Sequence, residues 1–203
     1  MSPVADFGEK ISFSSSKFTK LESKGDKIQF RVLNAPFYDG KHFYKKEDGS
    51  YDRPVPCPRI NEGGECEECK LFFAAHKSAK KDGLDKKETD KLTSPHKPAI
   101  SFYYPILNRN SGKFEIFQTT IGVRNQIEAQ AELGTKILER DLIVVRKEVP
   151  GSGYYSLSVV DSSETDSLTK EEKEEVEKGK DVDLGDYVVG QREEKPEDID
   201  IDL

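Results

Sequence analysis

The sequence predicts a mainly β fold with a minor α part. Three observations carry this: short alternating apolar runs bounded by turn residues, one internal amphipathic helix, and a cysteine cluster set among glycines and prolines. The chain has 203 residues, 34% hydrophobic and 35% charged, with a mean hydropathy of −0.74. That composition supports one core with solvated appendages. No run approaches the roughly 18 apolar residues of a membrane span, and the first ten residues lack the apolar centre of a signal peptide.

Residues 1–26 read as an N-terminal arm rich in Ser and Lys. Residues 28–33 alternate apolar and polar and form the first strand. A turn is expected at Tyr38-Asp39-Gly40-Lys41, with a second short strand at 42–45. Residues 46–65 hold Gly49, Pro54, Pro56, Pro58, Gly63 and Gly64, and read as irregular loop. A helix is expected over 66–80, followed by helix and then loop to Pro98. Strands at 100–107 and 114–121 flank the turn-rich connector 108–113, which makes a hairpin. Val123, Ile127 and Ala131 mark an amphipathic helix that ends at Gly134. The last two strands are 142–146 and 154–160, joined through Pro150-Gly-Ser-Gly153. Short strands with one helix before the last pair fit a five-stranded barrel of the OB type. The expected organisation is the arm, an OB-fold core over 27–160 with a zinc-binding subdomain inserted at about 42–98, and an acidic tail over 161–203.

Charge divides the chain. Residues 161–203 hold 17 acidic and 6 basic side chains, a net of −11, and the remainder is +4. The tail has Tyr187 as its single aromatic residue, so it is expected to be largely disordered. One stretch within it is a helix candidate, because Thr169 and Glu172 have capping-box spacing. The tail ends Asp198, Ile199, Asp200, Ile201, Asp202, Leu203. This alternation gives an extended peptide one charged and one apolar edge, the character of a partner-binding segment.

The three cysteines are odd in number and lie between positions 57 and 69, which argues against a disulfide framework and for a metal site. Cys57, Cys66 and Cys69 follow C-x8-C-x2-C, and the C-x2-C end suits one tetrahedral ion. The fourth ligand comes from three histidines. His76 lies two helical turns beyond Cys69, about 10 Å of rise, too far to share an ion. His96 sits in a remote Ser-Pro-His-Lys-Pro stretch. His42, ahead of the Pro-rich loop, completes a Cys3His set for one structural zinc ion. The H-x-E of zinc deaminases is missing, since Phe43 and Tyr44 follow His42. P-loop, G-x-S-x-G and H-E-x-x-H patterns are missing too, so no enzyme is expected.

Aromatic and basic residues interleave. Phe102 and Tyr104 share one face of their strand and Tyr103 takes the other. A barrel buries one face, so the other ring of each adjacent pair is expected to be exposed or to bind something, and Tyr154 and Tyr155 repeat the pattern. Rings beside cations suit single-stranded nucleic acid, where bases stack and phosphates meet Lys or Arg. The candidate stacking residues are Tyr103, Tyr104, Phe117, Tyr154 and Tyr155. The candidate phosphate contacts are Lys45, Lys46, Arg109, Lys113 and Arg146. A zinc-stabilised protein–protein adaptor in replication or transcription, or an RNA-binding OB protein, would use the same features.

Together the pieces resemble the zinc-containing single-stranded-DNA-binding (helix-destabilising) proteins of T-even-type bacteriophages. The resemblance covers about residues 27–160 by order of elements, and the tail by composition. Its most specific part is His42-x14-Cys57-x8-Cys66-x2-Cys69. Ile100-Ser-Phe102-Tyr103-Tyr104 stands where that family has an aromatic strand of its DNA cleft, and Phe114-Glu-Ile-Phe117 follows in order. The resemblance implies an OB core and sequence-independent binding of single-stranded DNA during phage replication, recombination and repair. It further implies action in the host cell cytoplasm, away from membranes. The tail would recruit replication and recombination proteins such as a DNA polymerase or a helicase loader. This chain is shorter than the T-even protein, and Lys17-Phe-Thr-Lys20 is only a weak echo of that family's basic N-terminal motif for cooperative binding.

Overall fold

Ile28, Phe30 and Val32 alternate with polar residues, and in the computed structural model they form one inward face of strand β2 (Lys27–Val32). The structure describes residues 18–46, 48–52, 54–147, 154–161, 167–180 and 182–185. The other strands are β1 (Phe18–Thr19), β3 (Phe37–His42), β4 (Val55–Pro56), β5 (Ala99–Asn108), β6 (Lys113–Thr120), β7 (Asp141–Arg146) and β8 (Tyr155–Val159). The helices are α1 (Pro58–Glu62), α2 (Glu67–Lys81), α3 (Lys86–Thr93), α4 (Ile121–Glu132) and α5 (Lys170–Lys180). The fold is thus a β sheet with several helices.

The sheet runs β1-β6-β5-β2-β7-β8, with β3 also on β5 and β4 on β3. β2 and β3 lie end to end along β5. Phe30, Arg31 and Val32 face Asn108, Leu107 and Ile106, while Phe37 to Lys41 face Tyr103 to Ala99. Pro36 lies in the break between them. Hairpin β5–β6 stands on one side of β2 and hairpin β7–β8 on the other, with α4 between them in sequence. Among the described residues no ladder joins β6 to β8.

One face of the sheet builds the main core. Ile28, Phe30, Val32, Phe102, Tyr104, Ile106, Phe117, Leu142 and Val144 pack there, and α4 caps them with Val123 and Ile127. The other face of β5 and β6 is covered as well. Tyr103, Leu107, Phe114 and Ile116 form a second cluster with Leu33, Val176 and Leu184.

The packing around the sheet corrects two expectations. The segment beyond residue 161 is not all solvated tail, because α5 lies against β5 and β6. Its N-terminus carries the capping box foreseen at Thr169 and Glu172: each backbone N–H donates to the other's side chain, at 2.9 and 3.2 Å. Gly179 permits the close approach, since a Cβ there would lie 2.5 Å from Phe114 Cδ2 and 2.6 Å from Leu33 Cδ1. Nor is the arm wholly separate from the body. β1 pairs in parallel with β6, and Leu21 joins the main core. The tail end Asp198–Leu203 and the turn 150–153 lie outside the described residues.

A third correction concerns Gly40. The turn expected at 38–41 is strand, and of the strand expected at 42–45 His42 ends β3 while Lys45 makes an isolated bridge to Tyr51. Glycine is required by packing rather than by a turn, because a Cβ on Gly40 would lie 2.6 Å from Ile60 of α1. No helix among the described residues is long and apolar enough to cross a membrane.

Candidate metal centre and the surface around it

Three neighbouring elements bring the donors together. In the β3–β4 ladder His42 faces Val55, and the Cys57 N–H donates to Gly40 O at 2.8 Å. His42 and Cys57 therefore project from the same face of this ladder. Cys57 is the N-cap of α1 and Cys66 the N-cap of α2. Cys69 follows in the first turn of α2 and points back to the same spot. The first-turn amides of α2 favour an ionised thiol at its N-cap, Cys66.

The ligand atoms of His42, Cys57, Cys66 and Cys69 all lie within 4.8 Å of one another. Cys57 Sγ is 3.4 Å from Cys69 Sγ, and His42 Nε2 is 3.3 Å from Cys66 Sγ and 3.7 Å from Cys69 Sγ. A tetrahedral ion with sulfur at 2.3 Å and nitrogen at 2.0–2.1 Å requires donor separations of about 3.5–3.8 Å. The arrangement is compatible with one structural metal ion. All three thiols are free and buried. A sulfur pair at 3.4 Å is far beyond the roughly 2.05 Å of a disulfide.

Two of the thiols are shifted in opposite directions. Burial, with the neighbouring sulfurs of Cys57 and Cys66, pushes the Cys69 thiol up to about 12. At Cys66 burial also acts upward, but amide N–H groups of Cys69 and Glu68 and the adjoining sulfurs outweigh it, and its pKa is lowered. The neighbouring sulfurs disfavour the Cys69 thiolate, and a bound divalent ion would remove that penalty. His42 Nε2 turns toward the sulfurs, while its Nδ1 is buried without a hydrogen-bond partner among the described residues. Nε2 is therefore the atom placed to ligate an ion.

Around this cluster, Glu68 Oε2 lies 2.6 Å from His96 Nδ1. The same carboxylate stands beside Tyr44, whose phenol is raised by burial and by Glu68. Glu68 thus links the entry of the inserted segment to its exit. His76 instead packs edge-on against Phe72, 4.7 Å between ring centres, and is not a ligand.

The residues expected to contact nucleic acid divide into two groups. Tyr103, Tyr104 and Phe117 are core residues, with Tyr103 in the second cluster and the other two in the main one. The expectation that one ring of the Tyr103–Tyr104 pair is exposed is overturned, because α5 and β1 cover the second face. Burial pushes the Tyr104 phenol up to about 12, against the lowering effect of Arg124. Arg109 is also enclosed: its Nε lies 3.0 Å from Asp141 and its Nη1 2.6 Å from Glu172. Arg146 Nη1 donates to the carbonyls of Leu21 and Glu22, so it ties down the chain leading into β2. Tyr155 is half-buried against the main core. Lys45, Lys46, Lys113 and Tyr154 are exposed, and Lys46 pairs with Asp52 at 3.0 Å.

Sequence reasoning undervalued the first hairpin. Tyr38, Phe43, Tyr44 and Tyr51 are exposed, Tyr51 to 63%. Phe43 and Tyr51 meet edge to face at 6.3 Å. The bridge between Lys45 and Tyr51 and the bond from Asp52 N to Tyr44 O set the register. By the pleat, Phe43, Lys45 and Tyr51 share one face of the hairpin. The available signal was the run His42-Phe43-Tyr44-Lys45-Lys46, where two rings and two cations directly follow a ligand.

No family model matches the chain, and no curated protein matches it.

Proposed function

We propose that this chain is a zinc-stapled protein that binds single-stranded DNA without reading its sequence, on a five-stranded barrel of the OB type. The observation that carries the reading is the hairpin beyond His42, where Phe43, Tyr44 and Tyr51 stand exposed beside Lys45. Four solvent-facing rings with Tyr38 are costly to leave in water unless they have a use. Stacking takes any base, at about 1–3 kcal/mol each, and the lysine meets the phosphate.

The order of elements supports the barrel reading. Counting β2 and β3 as one bent strand and setting aside the two-residue strands β1 and β4 leaves five: this strand, β5, β6, β7 and β8, with α4 between the third and fourth. A Cys3His donor set supports zinc, and four protein ligands leave no open position, so the ion would be structural. It would fix the ring-bearing hairpin on the body. The net charge of +4 outside residues 161–203 supports a polyanionic ligand. The acidic segment would recruit replication and recombination proteins in a phage-infected host.

The experiment is a titration of the metal-loaded chain with oligothymidylate, read by tyrosine fluorescence, since the chain has no Trp. Saturable quenching that weakens with salt supports the reading. Equal affinity for duplex DNA, or no quenching at low salt, contradicts it.

A further inference from the structure

The longest helix of the inserted segment buries very little of itself. Of the fifteen residues of α2, only Cys69 and Ala79 are buried. At about 100° per residue, Lys70, Phe73, Lys77, Lys80 and Lys81 fall within an arc of about 100°. The acidic residues Glu67 and Glu68 lie outside that arc, as does Asp82 at the helix end. The helix is therefore segregated by charge, with all four of its lysines on one stripe.

The stripe begins with a preformed contact. The Arg59 guanidinium lies 4.6 Å from the centre of the half-exposed Phe73 ring. An arginine stacked in this way keeps its N–H donors in plane and available to an anion. Lys70, next along, is held by Glu65 and Glu67, both at 2.7 Å. Lys77, Lys80 and Lys81 are exposed and have no carboxylate partner among the described residues. From Lys70 to Lys81 the helix rises about 16 Å. The result is an open row of cations that starts beside the metal centre and runs outward.

We infer that the Arg59, Phe73, Lys77, Lys80 and Lys81 face of α2 is a second nucleic-acid contact, which takes the phosphate backbone of the single strand beyond the hairpin rings. The inference rests on the single-stranded-DNA reading of this protein. A phosphodiester chain is the occupant that the charge pattern fits: Lys77, Lys80 and Lys81 without a carboxylate partner among the described residues, and Arg59 stacked on one aromatic ring, with the carboxylates confined to the Lys70 end of the stripe. The metal centre joins the two contacts physically, because His42 leads directly into the ring hairpin and Cys66 caps α2.

The test uses the full metal-loaded chain and a variant combining Lys77→Gln, Lys80→Gln and Lys81→Gln. All three side chains are exposed, so metal content is expected to stay at one per chain. Both proteins are titrated with oligothymidylates of increasing length over a salt series. The variant is expected to bind, with a log–log salt slope smaller by about 2, at about 0.7 per lost phosphate contact. Its affinity deficit should grow as the oligomer lengthens. A variant that matches the unaltered chain in slope and affinity overturns the inference and leaves the proposed function standing. If the unaltered chain binds no oligothymidylate, both fall. A synthetic peptide of residues 192–203 forms the remaining arm. If it binds the unaltered chain and not the variant, while DNA binding is equal in both, the face belongs to an acidic peptide and the inference is overturned.

Discussion

Glu172 Oε1 lies 2.6 Å from Arg109 Nη1, and this contact joins the acidic C-terminal segment to the sheet. Arg109 reaches Asp141 with its other edge, and Asp141 also holds Arg31 at 2.8 Å. Glu172 caps its own helix as well. Burial acts to raise its pKa, but the Thr169 amide and Arg109 outweigh it, so the carboxyl is depressed. A depressed carboxyl contributes stability that is present above its unfolded value, about 4.3, and lost as pH falls through the folded one. Docking of α5 is therefore predicted to weaken below about pH 4. Glu172→Gln should lower stability at neutral pH by about 2–3 kcal/mol and flatten this acid dependence. Denaturant unfolding at several pH values checks both.

The packing of α5 gives a second prediction. Gly179 is one residue from the end of the helix, where alanine would normally stabilise by about 0.5–1 kcal/mol. Here its Cβ would lie 2.5 Å from the buried Phe114 ring. Gly179→Ala is predicted to destabilise by about 1–3 kcal/mol, with strain exceeding the propensity gain. A higher melting temperature in this variant would contradict the described packing.

Truncation separates the two parts of the acidic region. A chain ending at residue 185 keeps α5 and Leu184 and is predicted to unfold as the full chain does. A chain ending at 161 uncovers Tyr103, Phe114 and Ile116, and is predicted to lose stability and to bind hydrophobic dyes. Equal melting temperatures for all three chains would contradict a structural role for α5.

The metal centre predicts one ion per chain and three thiols that react only after its removal. Gly40→Ala would force Ile60 and α1 away from β3, and Cys57 with them. That variant is predicted to lose metal affinity by tenfold or more, while the main core on β2, β5 and β7 survives. Competition with a chromogenic chelator measures this.

How far the sequence could be read depends on the range of the interactions. The donors were legible because C-x2-C spacing and a nearby His are local signals, and the capping box at Thr169 and Glu172 is local as well. The strand around Phe30 was legible from period-2 alternation, and those around Phe102 and Leu142 from short apolar runs bounded by turn residues. The second core was not, since Tyr103 becomes buried only when Val176 and Leu184, more than seventy positions later in the sequence, fold over it. The same long-range event hid the fate of Arg109, which reads as a free cation until Glu172 and Asp141 reach it. Gly40 misled in the opposite sense. Glycine signals a turn locally, whereas here it makes room for Ile60.

The central claim is that a metal-pinned hairpin offers its rings to unpaired bases. The most direct measurement is the affinity of Phe43→Ala and Tyr51→Ala for oligothymidylate beside that of Tyr104→Phe, each with its metal content verified. The account predicts that each ring deletion loses about 1–3 kcal/mol of binding, while Tyr104→Phe binds as the unaltered chain does. Unchanged affinity in both ring deletions would contradict it.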